Sequence, residues 1–273
     1  MSALDLTAIT LTRSPNPSRS NRVCLPEAVA WFADEDHSAH PGCVSTVLLR
    51  TGSALCARLP HDKRQGLKRF VPELVDTAGD GCDEDRSRLA MDWLVRVYLP
   101  AWLSPVPGLD LAAASLAEHA PVLSVTDAAE AMSGPRAAVR RSLHGLYNSE
   151  HWRHYRAHRT DLTLELSRRL SANAGDAAVV GTMAIAREFL PECGKLRLTV
   201  EQALLLAVCG HASGDPDVRA DGDPVDRVFP GIAAGIEDAV IELFARMIDV
   251  RPPGDQGWLA TDPAEEARRV RES

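Results

Sequence analysis

Apolar stripes at the α-helical period, cut into lengths by prolines, run through this chain. Residues 43–59 place Val44, Val47, Leu48, Leu55 and Leu59 on one face of a helix that Pro60 closes. Residues 62–77 repeat the pattern with Leu67, Phe70, Val71 and Leu74, and Pro72 is predicted to kink or divide that helix. The run AGDGCDED is a turn whose acids suit the start of the next helix. That helix, DRSRLAMDWLVRVYL, puts Leu89, Trp93 and Val97 on an apolar stripe, with Arg88, Asp92 and Arg96 on a polar one, where Asp92 has an arginine at i±4 on either side. Pro100 should end or bend it.

Short helices are predicted from Pro26, at a first helical position, and over 110–118. Longer ones are predicted near 176–190 and 199–209. The last strong helix carries Ile232, Ile236, Val240, Leu243 and Met247 on one face. Aromatic residues are only 5% of the chain, and the long runs are rich in Ala, Leu, Val and Arg, which suits packed helices better than β-sandwiches. No internal repeat of solenoid length is visible. The expected fold is therefore all-α: an irregular multi-helix bundle or stack of two helical halves, 26–121 and 122–251. A breaker-rich flexible tail over 1–25 and a polar tail over 252–273 flank them.

Length and charge narrow the function classes. A chain of 273 residues is enough for one large domain or two small ones. The net charge of −8 argues against a uniformly basic nucleic-acid binder, so such a role needs a local patch. No apolar run is long enough to span a membrane. The first residues lack the basic-then-apolar order of a secretory signal. Six cysteines, Cys24, Cys43, Cys56, Cys82, Cys193 and Cys209, are scattered without a CxxC pair. Reduced thiols in a cytoplasmic protein are the expectation.

Local strings at HPGCV (40–44), ARLPHDKRQGL, FVPELVDTAGD, MDWLVRVYLPAWL and GLDLAAASLAEHAP carry a resemblance. The positions concerned are His40, Pro41, Cys43, Leu59, Pro60, Arg64, Pro72, Thr77, Asp92, Trp93, Leu94, Arg96, Pro100, Ala101, Trp102, Gly108 and Leu109. Over roughly 36–121 the chain resembles uncharacterised helical proteins of actinobacteria and their phages, with a looser likeness at the closing ARMI. The resemblance implies a helical fold and an actinobacterial setting, and no chemistry. Residues 122–230 depart from the pattern.

The departure centres on residues 136–169. Eight arginines face three acids there, a local +5, which leaves −13 for the remainder. Arg153, Arg156 and Arg159, with Trp152 and Tyr155, form a candidate binding surface. Its partner would be an acidic protein surface, a second copy, the acidic loop at 215–226 of this chain, or phosphates and bases. On a helix, His154, His158, Asp161 and Glu165 fall within about 60° of one another, and His151 joins the same face. Two histidines at i, i+4 suit a divalent metal, with Asp161 or Glu165 adding oxygen. Tyr155 stands where a zincin would have its general-base Glu, which disfavours that protease chemistry. The same residues also read as ion pairs beside the stripe of Leu162 and Leu166.

A second metal-capable run is Asp34, Glu35, Asp36, His37, His40 and Cys43, with Cys24 and Cys56 as further ligands. It also reads as a loop whose acids and histidines cap backbone. The acidic loop fails as a calcium loop, because Arg219 and Val228 occupy positions that need oxygen ligands. Phosphate-loop, nucleophile-elbow, dinucleotide and di-iron signatures are absent, and no catalytic residue is assigned. The leading expectation is a non-enzymatic regulatory or accessory protein that acts through protein contacts or self-association and needs no cofactor. Metal binding at the histidine face is one alternative, and nucleic-acid binding through the arginines is another.

Overall fold

The computed structural model describes residues 4–150, 152, 156, 159–183, 187–213, 224–251 and 270. The described chain is all-α apart from a two-residue parallel ladder that pairs β1 (Thr10–Leu11) with β2 (Arg22–Val23). The helices are α1 (Leu25–Phe32), α2 (Thr46–Arg58), α3 (His61–Gly66), α4 (Val71–Leu74), α5 (Asp83–Trp93), α6 (Leu99–Leu103), α7 (Asp110–Ala117), α8 (Val125–Tyr147), α9 (Arg159–Ala172), α10 (Ala174–Met183), α11 (Leu190–Ser213) and α12 (Pro224–Asp249).

The centre is α10, read in the sequence only as part of a longer helix near 176–190. Its sequence, AGDAAVVGTM, has small residues almost all round, and Ala174 to Val179, Gly181 and Thr182 are all buried. It packs most extensively on α2 and also against α5 and α12. Two glycines permit the close approach. A Cβ on Gly175 would lie 2.7 Å from Ile236 Cγ2 and collide with the Tyr98 ring. One on Gly181 would collide with Thr51, whose Cβ would be 2.9 Å away.

Residues from both sides of Pro121 enter one contiguous core, from Val47, Leu55 and Trp93 to Leu204, Val240 and Phe244. The expected stripe of the last helix faces this core: Ile236, Val240, Leu243 and Met247 are buried, and Ile232 is half-buried. The segment 62–77 divides as its proline predicted, with a 3-10 turn (Leu67–Phe70) between α3 and α4. At Pro100 the helical path continues. A π-type turn over Leu94–Tyr98 lets the Leu99 N–H bond the Leu94 carbonyl, five residues back, so the wider turn accommodates a proline that has no N–H of its own.

One expectation is corrected. The described part of the predicted flexible tail is docked: Ile9, Leu11 and Val23 are buried, and Gln65 exchanges two 2.9 Å hydrogen bonds with the Leu11 backbone. The buried Glu27 carboxylate adds a second anchor by accepting from the Asn16 and Cys24 amides at 2.7 Å. The polar stripe of Arg88, Asp92 and Arg96 is largely buried. Asp92 and Arg96 are 8% and 5% exposed, while Arg88 turns to Glu84 and Asp85.

Charged side chains also close the fold. Arg86, 1% exposed, donates to both oxygens of Asp80 at 2.9 and 2.6 Å and to the Met247 carbonyl at 3.0 Å, joining the 80–83 turn to the end of α12. Asp92 accepts the Val122 amide at 2.8 Å and lies 3.5 Å from Arg96. Burial raises its carboxyl pKa above the ordinary value against the pull of that amide and of Arg96. No described helix is long and apolar enough to cross a membrane.

Candidate functional site

Within the arginine-rich stretch α8 ends at Tyr147, with Asn148 at its C-cap, and α9 runs from Arg159. Ser124 caps α8 by accepting the Asp127 amide, and Asp127 Oδ2 in return accepts from Leu123 N at 3.1 Å. The helix thus begins eleven residues before Arg136. It buries Ala128, Ala131, Met132, Pro135, Val139 and Leu143. Arg136, Arg140, His144 and Tyr147, at i, i+4, i+8 and i+11, form a stripe that flanks the buried face, with Arg141 further round the helix. Arg140, Arg141, His144 and Tyr147 are exposed and Arg136 is half-buried.

Tyr147 links α8 to the start of α9. Its ring meets Trp152 edge-on, with centroids 4.7 Å apart. The Arg159 guanidinium lies 5.2 Å from the Tyr147 centroid and 5.9 Å from that of Trp152. A cation in the first turn of a helix opposes the macrodipole, so this double ring contact is what holds Arg159 in place. Arg156 and Arg159 are both exposed and extend the basic surface beyond Tyr147. Arg136, Arg140, Arg141 and Arg156 form no ion pair among the described residues.

The far end of the stretch is neutralised internally. Arg168 and Arg169 both bind Glu165, at 2.8 and 2.6 Å, and their hydrogen bonds pull its carboxyl down to about 2. Arg169 also reaches Asp226 at 2.7 Å, so the stretch is tied to the residue that ends the acidic loop.

Of the sequence-predicted binding residues, Trp152 is 7% exposed and belongs to the core, so its ring is not an open stacking platform. Arg153 and Tyr155 lie outside the described residues, as do His151, His154 and His158 of the metal reading. Asp161 is exposed, and Glu165 is committed to its two arginines. Among the described residues no three His, Cys, Asp or Glu side chains converge to hold a metal. The run 34–43 behaves as a capped loop. Glu35 accepts the amides of Gly42 and Cys43 at 2.8 and 2.9 Å, and His37 Nε2 sits 2.9 Å from the Asn16 carbonyl. All six cysteines are free thiols. Burial holds Cys193 at about 12 and Cys209 at about 11, so both stay protonated and unreactive near neutral pH.

An open cavity of about 510 Å³, not foreseen from the sequence, lies between the start of α5, the start of α8 and residues 188–189. It is lined by Glu84, Ser87 and Arg88 from α5, Leu123 to Val125 at the α8 cap, and Glu188 and Phe189. The bond from Val122 to Asp92 fixes the wall next to it. Its three sources are distant in sequence, and no local motif marks them.

Comparison with protein-family models, with curated proteins and with solved structures found no match to this chain.

Proposed function

We propose that this chain is a non-enzymatic regulatory or accessory protein of the cytoplasm that docks an acidic protein surface, through the basic face formed by Arg136, Arg140, Arg141 and His144 of α8 with Arg156 and Arg159. The observation that carries the reading is the separation of charge. Four exposed or half-exposed arginines lack an ion pair among the described residues, in a chain whose other residues sum to a strong negative charge. Some arginines elsewhere are consumed by acids of the same molecule, as Arg86, Arg88 and Arg169 are, and others, such as Arg13, Arg22, Arg50 and Arg69, are exposed singly in the first seventy residues without an ion pair among the described residues. A face left unpaired in an acidic protein attracts an acidic partner at long range and repels the acidic remainder of its own kind except at that face. Self-association of the basic face on the acidic remainder of a second copy is the homotypic form of the same contact.

Aromatic stacking, which nucleic-acid binding would use, has little support at this face: Trp152 is buried, and the Tyr147 ring, though exposed, already holds the Arg159 guanidinium. Fluorescence anisotropy with an oligoglutamate peptide tests the proposal. Binding should weaken as salt rises and be lost in the Arg140→Glu/Arg141→Glu double variant. Both positions are exposed, so the variant should keep the wild-type circular dichroism. Undiminished binding by that variant, or tighter binding of a single-stranded oligonucleotide than of the peptide, overturns the proposal.

A further inference from the structure

The cavity between α5, α8 and residues 188–189 is separate from the arginine face, and its lining has a definite chemistry. Leu123, 46% exposed, with Val125 and Phe189, gives it an apolar wall. Opposite stand the carboxylates of Glu84 and Glu188 and one guanidinium, Arg88. Arg88 is already engaged, by Glu84 at 2.5 Å and Asp85 at 3.1 Å. Glu188 is exposed and forms no ion pair among the described residues.

Both helix starts that border the cavity are occupied by their own groups. The first turn of α5 carries Asp83, Glu84 and Asp85, and the first turn of α8 is closed by the reciprocal Ser124–Asp127 cap. Neither therefore offers an open anion site. The Ser87 hydroxyl also belongs to the lining. It is 1% exposed and has no hydrogen-bond partner among the described residues, which is costly for a buried hydroxyl. Volume, apolar wall, excess carboxylate and an unsatisfied hydroxyl occur together in a space of the size that small-molecule sites usually have.

We propose that this cavity binds a small organic cation: a primary amine with an apolar body, whose ammonium group pairs with Glu188 and Glu84 while its hydrocarbon lies on Leu123, Val125 and Phe189. An anionic ligand would meet two carboxylates and a guanidinium that already has two acid partners, so selectivity follows from charge.

The test uses three probes of the same shape on the full chain: 2-phenylethylamine, 2-phenylethanol and phenylacetate, followed by calorimetry and by amide chemical shifts. The amine should bind saturably and shift Ser87, Leu123, Val125 and Phe189, while the alcohol and the acid bind at least about tenfold more weakly. Glu188→Gln, at an exposed position, should remove the preference for the amine over the alcohol without changing the circular dichroism. Arg140→Glu/Arg141→Glu should leave amine binding intact, since the two sites are independent. Preferred binding of phenylacetate, equal binding of amine and alcohol, an unaffected Glu188→Gln variant, or no binding of any probe overturns the proposal.

Discussion

Replacing Gly181 with alanine tests the packing at the centre of the fold. The new Cβ would lie 2.9 Å from Thr51 Cβ and 3.2 Å from Thr51 Cα, besides colliding with the Thr51 hydroxyl. Rotation about χ1 moves the hydroxyl but neither carbon, so α10 and α2 would have to separate. Forcing a methyl into a packed core costs about 1–3 kcal/mol, and the upper end applies where backbone must move. Alanine recovers about 1 kcal/mol of helix propensity over glycine. The net loss should be about 2 kcal/mol, or a fall in Tm of about 4–8 °C for a chain of this size.

Urea denaturation and thermal scans of wild type and Gly181→Ala measure this loss directly. The exchanged pair, Gly181→Ala with Thr51→Gly, should recover part of it because the blocking Cβ and hydroxyl are gone. The Thr51 hydroxyl is buried without a hydrogen-bond partner among the described residues, so its removal carries little hydrogen-bond cost. A Gly181→Ala protein as stable as wild type, or more stable, would refute the close approach of α10 to α2.

Three further outcomes follow from buried polar groups. Asp92→Ala should cost about 1–3 kcal/mol, because it strands the Val122 amide. Asp92→Asn keeps an acceptor and should stay within about 1 kcal/mol of wild type at neutral pH. The folded-state pKa of Asp92 is raised, so its ionisation weakens the wild-type fold as pH climbs above the ordinary carboxylate value of 3.8. Asp92→Asn should therefore gain on wild type from acid to neutral pH in parallel urea titrations, and a constant difference would contradict the shift. Arg86→Lys should lose about 2–3 kcal/mol by equilibrium unfolding, since an ammonium cannot span Asp80 and the Met247 carbonyl together, and Asp80, being part-exposed, limits the loss by regaining water. An aromatic disulfide reagent at pH 8 should find all six thiols only after unfolding, with Cys43 alone accessible in the native state. Rapid native modification of Cys193 or Cys209 would show that the core is not closed as described.

Helices with one apolar face were legible from the period of their side chains, as the stripe of Ile236, Val240, Leu243 and Met247 shows. The central helix was legible only as helix. Its alanines and glycines surround the axis, so no stripe indicates a face, and its centrality follows from partners far away in sequence. The spacing of Arg88, Asp92 and Arg96 looks the same whether the face is wet or dry. Only the third dimension showed that two of the three are buried. The tail over 1–25 looked loose because its SPNPSRSN run is polar and breaker-rich, yet Ile9, Leu11 and Val23 each find a core position.

At the candidate site the charge excess of 136–169 was visible in the sequence, but its division was not. The arginines of α8, with Arg156 and Arg159, belong to the outer face, and Arg168 and Arg169 at the end of α9 are spent on Glu165 and Asp226. The i, i+4, i+8, i+11 spacing from Arg136 to Tyr147 was the signal that could have placed the face one helix earlier. The cavity at Ser87 and Glu188 had no such signal.

The most direct measurement for the docking claim is residue-resolved. Oligoglutamate titrated into the labelled protein at low salt should shift the arginine side-chain N–H resonances of Arg136, Arg140, Arg141, Arg156 and Arg159 together, and the shifts should reverse as salt is added. Arg86, sealed against Asp80 and Met247, should stay unmoved as the internal control. Shifts spread evenly over arginines on every face, or confined to helices other than α8 and α9, would contradict the account.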